Sequence, residues 1–345
     1  MFIGFKARFT NKTLIYTIIS GIVIEIICIA ITCIGDIKQN IPGFAFLYTG
    51  SFIAYIFTVS YTLKKTADSH SQPSDKVESS HKALLWTILA FSVIFRLTLI
   101  PAIPSDDIYR YLWEGKLQLN FINPYSSAPE SGGLEHLRDE FYSGINHKNL
   151  AAIYPPLTLI MFAIADFISH SIISMKSIFL FFDISVIFIL VKFLRESGRN
   201  PVNVLIYAWS PLVLISFAAR GHCDSLQIFL VILALYFYSR QKNLSSMTSI
   251  AFAVAAKVTS VIIAPFLLLK NKPVYIIVLF LIIILLYLPY INASDGLFYT
   301  LLHFGSQYHF NDSVHFVIFC LTHGSKQWTS IITTAVFGII LLYLY

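Results

Sequence analysis

Long apolar runs recur along almost the whole chain, and they decide what it can fold into. Hydrophobic residues make up 57% of the sequence and charged residues only 12%, which excludes an ordinary soluble globular domain. A helix needs about 20 apolar residues to cross the hydrocarbon core of a bilayer. By that length we predict membrane-spanning helices over Leu14–Ile34, Phe44–Leu63, Ala83–Ile103, Ser177–Leu194, Pro201–Ala218, Ser225–Ser239, Val274–Ile291 and Thr329–Tyr345.

These runs predict an all-α, polytopic integral membrane protein that forms a single domain over residues 1–345. The weakly apolar stretches are about 20 and 50 residues long, too short for an ordinary soluble domain. The net charge of +6 is modest, and basic clusters at helix ends usually set orientation rather than bind nucleic acid. We therefore expect membrane lipids, and no nucleic acid, as partners.

Positively charged clusters are typical of cytoplasmic loops and predict the topology. The first cluster, Lys6, Arg8 and Lys12, precedes the first span and places the N-terminus in the cytoplasm. Two spans then return the chain to the basic segment Lys64–Lys82. The third span carries residues 104–153 to the extracytoplasmic face, where we expect them to form the outer catalytic loop.

Two further apolar segments would break this topology if they crossed the membrane. A span over residues 154–171 would move the next basic cluster outside, so we predict an interfacial helix there, its direction fixed by Tyr154-Pro155-Pro156. By the same logic, residues 244–269 are predicted to form a re-entrant hairpin of two short helices with Lys257 near its tip. Such a break is permitted where the backbone is buried in protein or lines a cavity.

Two adjacent carboxylates, Asp106 and Asp107, lie just beyond the third predicted span and are candidates for a general base. Desolvation beside lipid raises the pKa of a carboxylate, which makes it a better proton acceptor near neutral pH. The alternative is that Ser105-Asp106-Asp107 caps a helix beginning near Ile108, and both interpretations can hold together.

The residues that follow the pair extend the candidate site. Arg110 and Tyr111 come one helical turn later, so they either position the carboxylate or a substrate hydroxyl, or form an interfacial ion pair. Asn123 and Tyr125 flank a proline and either bind sugar or simply form a turn. Tyr154 is also a substrate-binding candidate, although its Pro-Pro context is mainly structural.

Two cationic segments are candidates for binding a phosphate. In Arg220-Gly221-His222-Cys223-Asp224, Arg220 or His222 can bind phosphate and Asp224 can bind hydroxyls or orient His222; the alternative is a tight polar turn. Lys257 lies among apolar residues in AFAVAAKVTS. It either neutralises a lipid-linked phosphate as it leaves or extends its ammonium group to the interface.

The remaining polar residues have weaker signals. Arg96 lies mid-span and either lines a lipid-carrier groove or pairs with Glu25 or Asp183. His303 and Asn311 belong to an aromatic and polar segment that suits stacking on a sugar face, or equally an aromatic interface belt. The scattered histidines lack zinc-like spacing, so we predict neither a metal nor a cofactor.

The segments SDDIYRYLWEG, NPY, YPP, RGHCDSL, AAKVTS and HFND, in that order, resemble polyprenyl-phosphate-sugar-dependent glycosyltransferases of the GT-C superfamily, most closely bacterial and archaeal multi-pass mannosyltransferases. The resemblance runs over about Arg96–Ser313. It implies a GT-C-type helical bundle whose first large outer loop carries the catalytic aspartate, matched by Asp107 with Asp106 as second choice. It also implies a donor-phosphate role for Lys257. Relatives usually have Gly-His-Asn-Asp where this chain has Gly221-His222-Cys223-Asp224, so this chain departs from the pattern at Cys223.

The resulting prediction is an inverting glycosyltransferase that moves a hexose from a polyprenyl- or dolichyl-phosphate donor to a glycan, glycolipid or protein acceptor on the outer face. Mannose is the sugar that the resemblance implies most often. The alternative is a transporter or flippase of a lipid-linked sugar, which predicts charges near mid-membrane and an inverted repeat; a scaffold subunit would not need charges concentrated at one rim. Costly polar groups clustered on one side favour the enzyme.

Overall fold

Wherever its structure is described, the chain consists of helices joined by turns and irregular loops. The computed structural model describes residues 3–69, 75–268, 274–293, 296–307 and 313–344, and within them there is no strand. The α-helices are α1 (Ile3–Cys33), α2 (Ile41–Ser69), α3 (Asp75–Leu99), α4 (Asp107–Leu119), α5 (Pro156–Ile168), α6 (Ile172–Glu196), α7 (Leu205–Ala208), α8 (Pro211–Val213), α9 (Asp224–Ser239), α10 (Asn243–Ala256), α11 (Ala264–Leu268), α12 (Val274–Tyr287), α13 (Gly296–Gln307), α14 (Ser313–Leu321) and α15 (Lys326–Leu344).

Among these residues, five helical segments are long and apolar enough to cross a membrane. A bent pair, Pro201–Ala208 with Pro211–Ala219, makes a sixth if it is counted as one span. Each of the six overlaps a predicted span, which confirms the prediction of a polytopic helical membrane protein. The five continuous segments are Lys12–Cys33, Ile41–Ala67, Ser79–Leu99, Ile172–Glu196 and Val274–Ala293.

Two predicted spans do not meet the same test. The prediction at Ser225–Ser239 corresponds to α9, whose 16 residues extend about 24 Å, less than the roughly 30 Å of hydrocarbon core. The prediction at Thr329–Tyr345 corresponds to α15, which is not among the candidate spans; Tyr345 lies outside the described residues. An apolar run therefore predicts a helix more reliably than it predicts a complete crossing.

The hairpin predicted over residues 244–269 is a helix, a break and a second short helical segment. α10 ends at Ala256, Lys257 is extended (φ −153°, ψ 124°), and a 3₁₀ segment, Val258–Ile263, leads into α11. Lys257 contacts Asp224 at the start of α9, so α9 and α10 run antiparallel. The structure thus places Lys257 at the break, as expected, while re-entry into the membrane stays a prediction.

The bent pair owes its shape to Ser210-Pro211 and to widened turns beyond. Proline has no N–H to continue the helical hydrogen bonds, and α8 begins there after a 50° bend. The next turns, Leu214–Ala219, have π-helical geometry, and the Arg220 N–H donates to the Ile215 carbonyl at 2.8 Å. Such local widening often occurs at functional sites, and here it delivers Arg220 and His222 to the same side as Asp107.

α4 begins three residues after Pro104, and its first residue, Asp107, carries negative charge at the positive end of the helix. Asp106 stands at the N-cap position of α4, as the capping interpretation expects, but its side chain makes no capping hydrogen bond. α4 lies tightly against α5 because Gly115 has no side chain; a Cβ there would stand 2.6 Å from the Phe162 carbonyl oxygen. α5 matches the helix predicted over residues 154–171, and its interfacial placement stays a prediction.

The buried mid-span arginine is paired inside the protein. Arg96 Nε lies 2.6 Å from Asp183 Oδ2, and neither side chain is exposed. The Tyr207 hydroxyl donates to Asp183 at 2.7 Å, while Glu25 accepts from Thr98 instead. Internal pairing with Asp183 is confirmed, and lining a lipid groove is wrong for Arg96, because its guanidinium is fully enclosed.

Candidate functional site

Backbone hydrogen bonds bring the start of α4 next to the turn that precedes α9. The Ser105 N–H and the Ser105 hydroxyl both donate to the Arg220 carbonyl, at 3.0 and 3.1 Å. Gly221 follows with φ +76°, and a Cβ there would stand 2.6 Å from Ile108 Cδ1. Only glycine fits this left-handed turn without displacing α4, so Asp107 and His222 are brought face to face.

Asp107 is held from both sides of its carboxylate. Asn146 donates to Oδ1 at 3.0 Å, and His222 Nδ1 lies 3.5 Å from Oδ2. About a third of each side chain in the Asp107–His222 pair is exposed, at 33% and 34%. A reactant can therefore reach the carboxylate while its orientation stays fixed.

The expectation of a raised pKa for Asp107 is wrong. Burial alone raises the pKa of this carboxyl, but the hydrogen-bonding contacts of His222 and Asn146, together with the positive charges of His222 and Arg220, lower it further than burial raises it. The net pKa lies below the ordinary value for an aspartate. Asp107 is therefore ionised at neutral pH.

The two adjacent aspartates have different surroundings. Asp106 lies 3.2 Å from Lys38 Nζ, in the connection between α1 and α2, and both side chains are largely exposed. Asp107 instead contacts Asn146 and His222. Asp107 is thus the aspartate at the polar cluster, and Asp106, the second choice, forms a surface ion pair.

Buried aromatic side chains and Cys223 form the floor beneath the charged groups. Tyr111 is only 1% exposed; it stacks on Phe162 with ring centroids 4.4 Å apart and meets Tyr154 edge-on at 5.3 Å. Burial, reinforced by the charge of Asp224, raises the pKa of the neighbouring Cys223 thiol to about 12. Tyr111 and Cys223 therefore shape the floor as neutral groups rather than offering exposed hydrogen-bonding side chains.

Lys257 and Asp224 form an ion pair close to Cys223. Their side chains are 45% and 32% exposed. Lys257 and Asp107 are each close enough for their charges to act on the Cys223 thiol, so cation and carboxylate lie near the same residue. The idea that Asp224 orients His222 is not what the structure shows: the partner of Asp224 is Lys257, and the partner of His222 is Asp107.

Arg220 and Arg110 have different roles in this region. Arg220 is half-buried, and its guanidinium donates to the Ile103 carbonyl at 3.4 Å, leaving further donors. The predicted contact of Arg110 with Asp106 or Asp107 is wrong, because Arg110 Nε donates to Glu114 at 2.7 Å and the rest of the guanidinium donates to carbonyls of the loop at 146–151. Arg110 is 5% exposed, so it braces the loop that carries Asn146.

The candidates around the asparagine-proline-tyrosine turn are occupied by internal contacts. The Asn123 side chain accepts from the Tyr125 N–H at 3.0 Å and donates to the Tyr290 carbonyl at 3.0 Å. The Tyr125 hydroxyl donates to the Tyr154 carbonyl at 2.7 Å. These bonds fit the turn interpretation, since the polar groups proposed for sugar binding tie the loop to neighbouring segments.

The C-terminal candidates are less informative. His303 lies on α13, stacked on Tyr299 with ring centroids 5.7 Å apart, and Asn311 lies outside the described residues. Within the ranges that the structure describes, no group of three or more His, Cys, Asp or Glu side chains is arranged to hold a metal ion. The expectation of no metal and no cofactor stays a prediction.

Asn146 is the member of the cluster that sequence reasoning missed. It lies in SGINHKN, a polar loop with nothing to set one asparagine apart from its neighbours. Its importance arises from a contact across 39 positions of sequence with Asp107. The sequence held one indirect signal. Arg110 and Glu114 are four residues apart on one helix, a spacing that predicts an ion pair between them. Arg110 is then unavailable to Asp107, which leaves the carboxylate to another partner.

Comparison with known proteins points to one enzyme family. A family model described as alpha-(1->6)-mannopyranosyltransferase, N-terminal domain, matches residues 39–271. The matched region is more than half of the chain and contains Asp107, His222, Asp224 and Lys257. Searches of the curated proteins and of the solved structures gave no match.

Proposed function

Because the chain belongs to the alpha-(1->6)-mannopyranosyltransferase family and is therefore a GT-C-type mannosyltransferase, we propose that it takes mannose from a polyprenyl- or dolichyl-phosphate donor and transfers it with inversion. The observation that carries this proposal is the juxtaposition of an ionised carboxylate, Asp107, with two cations, since the charge of Arg220 acts on Asp107 and that of Asp107 acts on Lys257. Membership of an enzyme family favours bond cleavage over the transport alternative.

Asp107 is the proposed general base. The acceptor hydroxyl attacks the anomeric carbon, the bond from that carbon to the phosphate oxygen breaks with its electron pair going to phosphate, and the hydroxyl proton passes to Asp107. In an oxocarbenium-like transition state the leaving group departs early. The hydroxyl becomes more acidic as its new bond to carbon forms, so a carboxylate of low pKa can accept its proton. A low pKa also keeps the carboxylate ionised at neutral pH.

Lys257 and Arg220 are the proposed partners of the departing phosphate. That phosphate gains negative charge as the sugar leaves, so fixed cations stabilise the transition state more than the bound donor. His222 contacts the base, which makes it a weaker candidate for the phosphate than the sequence predicted. The acceptor is a glycan, a lipid or a protein, and the proposed chemistry involves only its hydroxyl group.

The proposal is tested with purified protein and labelled polyprenyl-phosphate mannose, comparing Asp107→Asn with Asp106→Asn. Loss of a general base lowers transfer by about 10²–10⁴-fold, which we expect for Asp107→Asn. Asp106→Asn is the matched control, because it removes the same charge one residue away. Equal transfer by the two variants would refute the assignment of Asp107.

We place the reaction on the extracytoplasmic face, since the basic clusters predict that residues 104–153 lie there. A cysteine at the exposed position Glu135, in protein freed of its native cysteines, should react with a membrane-impermeant maleimide added to intact cells. Labelling that requires lysis would put the site on the cytoplasmic side.

A further inference from the structure

A fully buried lysine lies behind the candidate site. Lys176, on α6, is 0% exposed. Its ammonium group donates to three backbone carbonyls, those of Ile100 at 2.9 Å, Ala102 at 2.6 Å and Ala219 at 2.7 Å. An ammonium group has three donors, so each is used. Among the described residues no carboxylate contacts it.

The three carbonyls belong to the two segments that carry the proposed base and its partner. Ile100 and Ala102 follow α3 and lead into Asp107, five residues beyond Ala102 along the chain. Ala219 ends the π-helical turns and leads into His222. One ammonium group therefore joins the backbone on both sides of the Asp107–His222 contact, and the Ser105 bonds to Arg220 join the same segments closer to it.

The stem of the lysine also contacts the turn between these segments. A Cβ on Gly221 would stand 3.1 Å from Lys176 Cγ and 2.6 Å from Ile108 Cδ1. The left-handed turn therefore fits between the aliphatic part of Lys176 and the first turn of α4. A shift of the Lys176 side chain would move the backbone of Gly221, and with it His222.

A buried charge without a counter-ion is costly, whereas an apolar side chain of similar length fills the same space without that cost. The hydrogen bonds that such a cation forms must therefore supply something that packing does not. Here they supply three fixed distances between α6 and two irregular segments.

We infer that Lys176 is a positioning residue for the transferase: it contacts no reactant, and it sets the distance between Asp107 and His222. This inference rests on the proposed function for its catalytic consequence, but its geometric content stands without it. A displacement of about 1 Å at a reacting group can lower a rate about 10²-fold. We therefore expect Lys176→Met to lower kcat by about 10²-fold while the KM for the donor stays nearly constant.

The matched control is Lys192→Met, the same substitution on the same helix at an exposed position, where the ammonium group lies over the Tyr236 ring. Lys192→Met should keep wild-type kcat. In Lys176→Met we also expect the acid limb of the kcat/KM profile to move to higher pH, since Asp107 loses close contact with His222. A lysine that only stabilises the fold would reduce the yield of protein without moving that limb.

A second readout does not depend on transfer. In protein freed of its native cysteines, Asp107→Cys with His222→Cys should be joined rapidly by a short bis-methanethiosulfonate reagent, and adding Lys176→Met should slow the reaction several-fold, whereas Lys192→Met should not. Slower cross-linking combined with no effect of Asp107→Asn on transfer would uphold the positioning role and reject the proposed chemistry. Unchanged cross-linking and unchanged kcat in Lys176→Met would overturn the inference.

If Lys176→Met fails to fold, Lys176→Gln keeps the comparison decisive, because its amide retains two donors for three carbonyls. We expect this variant to fall between wild type and Lys176→Met in both kcat and cross-linking rate. Wild-type values for Lys176→Gln in both measurements would equally overturn the inference.

Discussion

The two sides of the candidate site are built differently. On the base side, Asp107 is held by Asn146 and His222, and the backbone around it is joined by Ser105 and Lys176. On the cation side, Asp224 is the one ion-pair partner of Lys257 among the residues that the structure describes, and both side chains are partly exposed. The base side is thus fixed before any reactant arrives, while the cation side depends on one ion pair that a ligand can reach.

The difference follows from what each side has to do. A base must stand at one distance from a hydroxyl, so rigid placement favours the reaction. A cation that receives phosphate must release its resting partner first. Both side chains of this pair are partly exposed, and an ion pair that water can screen is worth about 0–1 kcal/mol, so phosphate can displace Asp224 from Lys257 at little cost. We propose that Asp224 acts as a placeholder, which keeps the ammonium group in position between turnovers.

The largest effect that tests the cation side is expected from Lys257→Gln. Removing a fixed charge at a developing anion typically lowers kcat by about 10²–10³-fold, and here the charge develops on the phosphate that leaves. The effect should be on kcat more than on KM, because the interaction strengthens in the transition state. Steady-state transfer from labelled donor measures both.

Lys242→Gln provides the control, since Lys242 is exposed at the opposite end of α10. It should retain wild-type kcat. Equal kcat in Lys257→Gln and Lys242→Gln would mean that the Lys257–Asp224 pair is an ordinary surface ion pair without a part in the reaction. The hydrogen bond from Gln227 to Thr259, 3.0 Å long, should keep the segment after α10 in place in both variants.

The sequence drew attention to the charged residues of both sides more readily than to their contacts, for a physical reason. Lys257 and Asp224 stand out because charged residues in apolar surroundings are costly, and that cost is visible in a linear sequence. The choice between Asp106 and Asp107 is set by Lys38 and Asn146, which are remote in sequence. No local pattern contains that information, and the family resemblance was what favoured Asp107.

The same distinction explains the other differences between prediction and structure. Most spans were correctly placed because hydropathy is a local property, whereas α9 was read as a full span although it is too short. The pKa of Asp107 was predicted to be raised because burial was the only influence that the sequence suggested. The opposing influence comes from His222, Asn146 and Arg220, which the fold brings together from separate segments.

A pH profile sharpens the comparison from the base side. In Asn146→Ala, Asp107 loses one of the hydrogen bonds that hold its pKa low, so the pKa rises toward the value that burial favours. Activity requires the ionised carboxylate. The acid limb of the kcat/KM profile, which reports the free enzyme, should therefore move to higher pH, with little change at neutral pH.

Asn120→Ala is the matched control, because the Asn120 amide donates to the Lys116 carbonyl rather than to Asp107 and lies exposed at the end of α4. Its acid limb should coincide with that of the wild type. An unmoved limb in Asn146→Ala, with protein of native stability, would mean that the Asp107–Asn146 bond does not tune the base, and that the two sides are alike in rigidity.

The smallest effect, and the one most specific to the placeholder idea, is expected from Asp224→Asn. Without the carboxylate, Lys257 no longer has to exchange partners, so a phosphate should bind more tightly. An exposed pair of up to about 1 kcal/mol corresponds to at most about a fivefold decrease in the inhibition constant of polyprenyl phosphate. Inhibition of transfer by added polyprenyl phosphate measures that constant, and the double variant Asp224→Asn with Lys257→Gln should abolish the gain. Weaker inhibition in Asp224→Asn would instead show that Asp224 contributes to binding the donor, and that the ion pair must stay closed for the cation side to work.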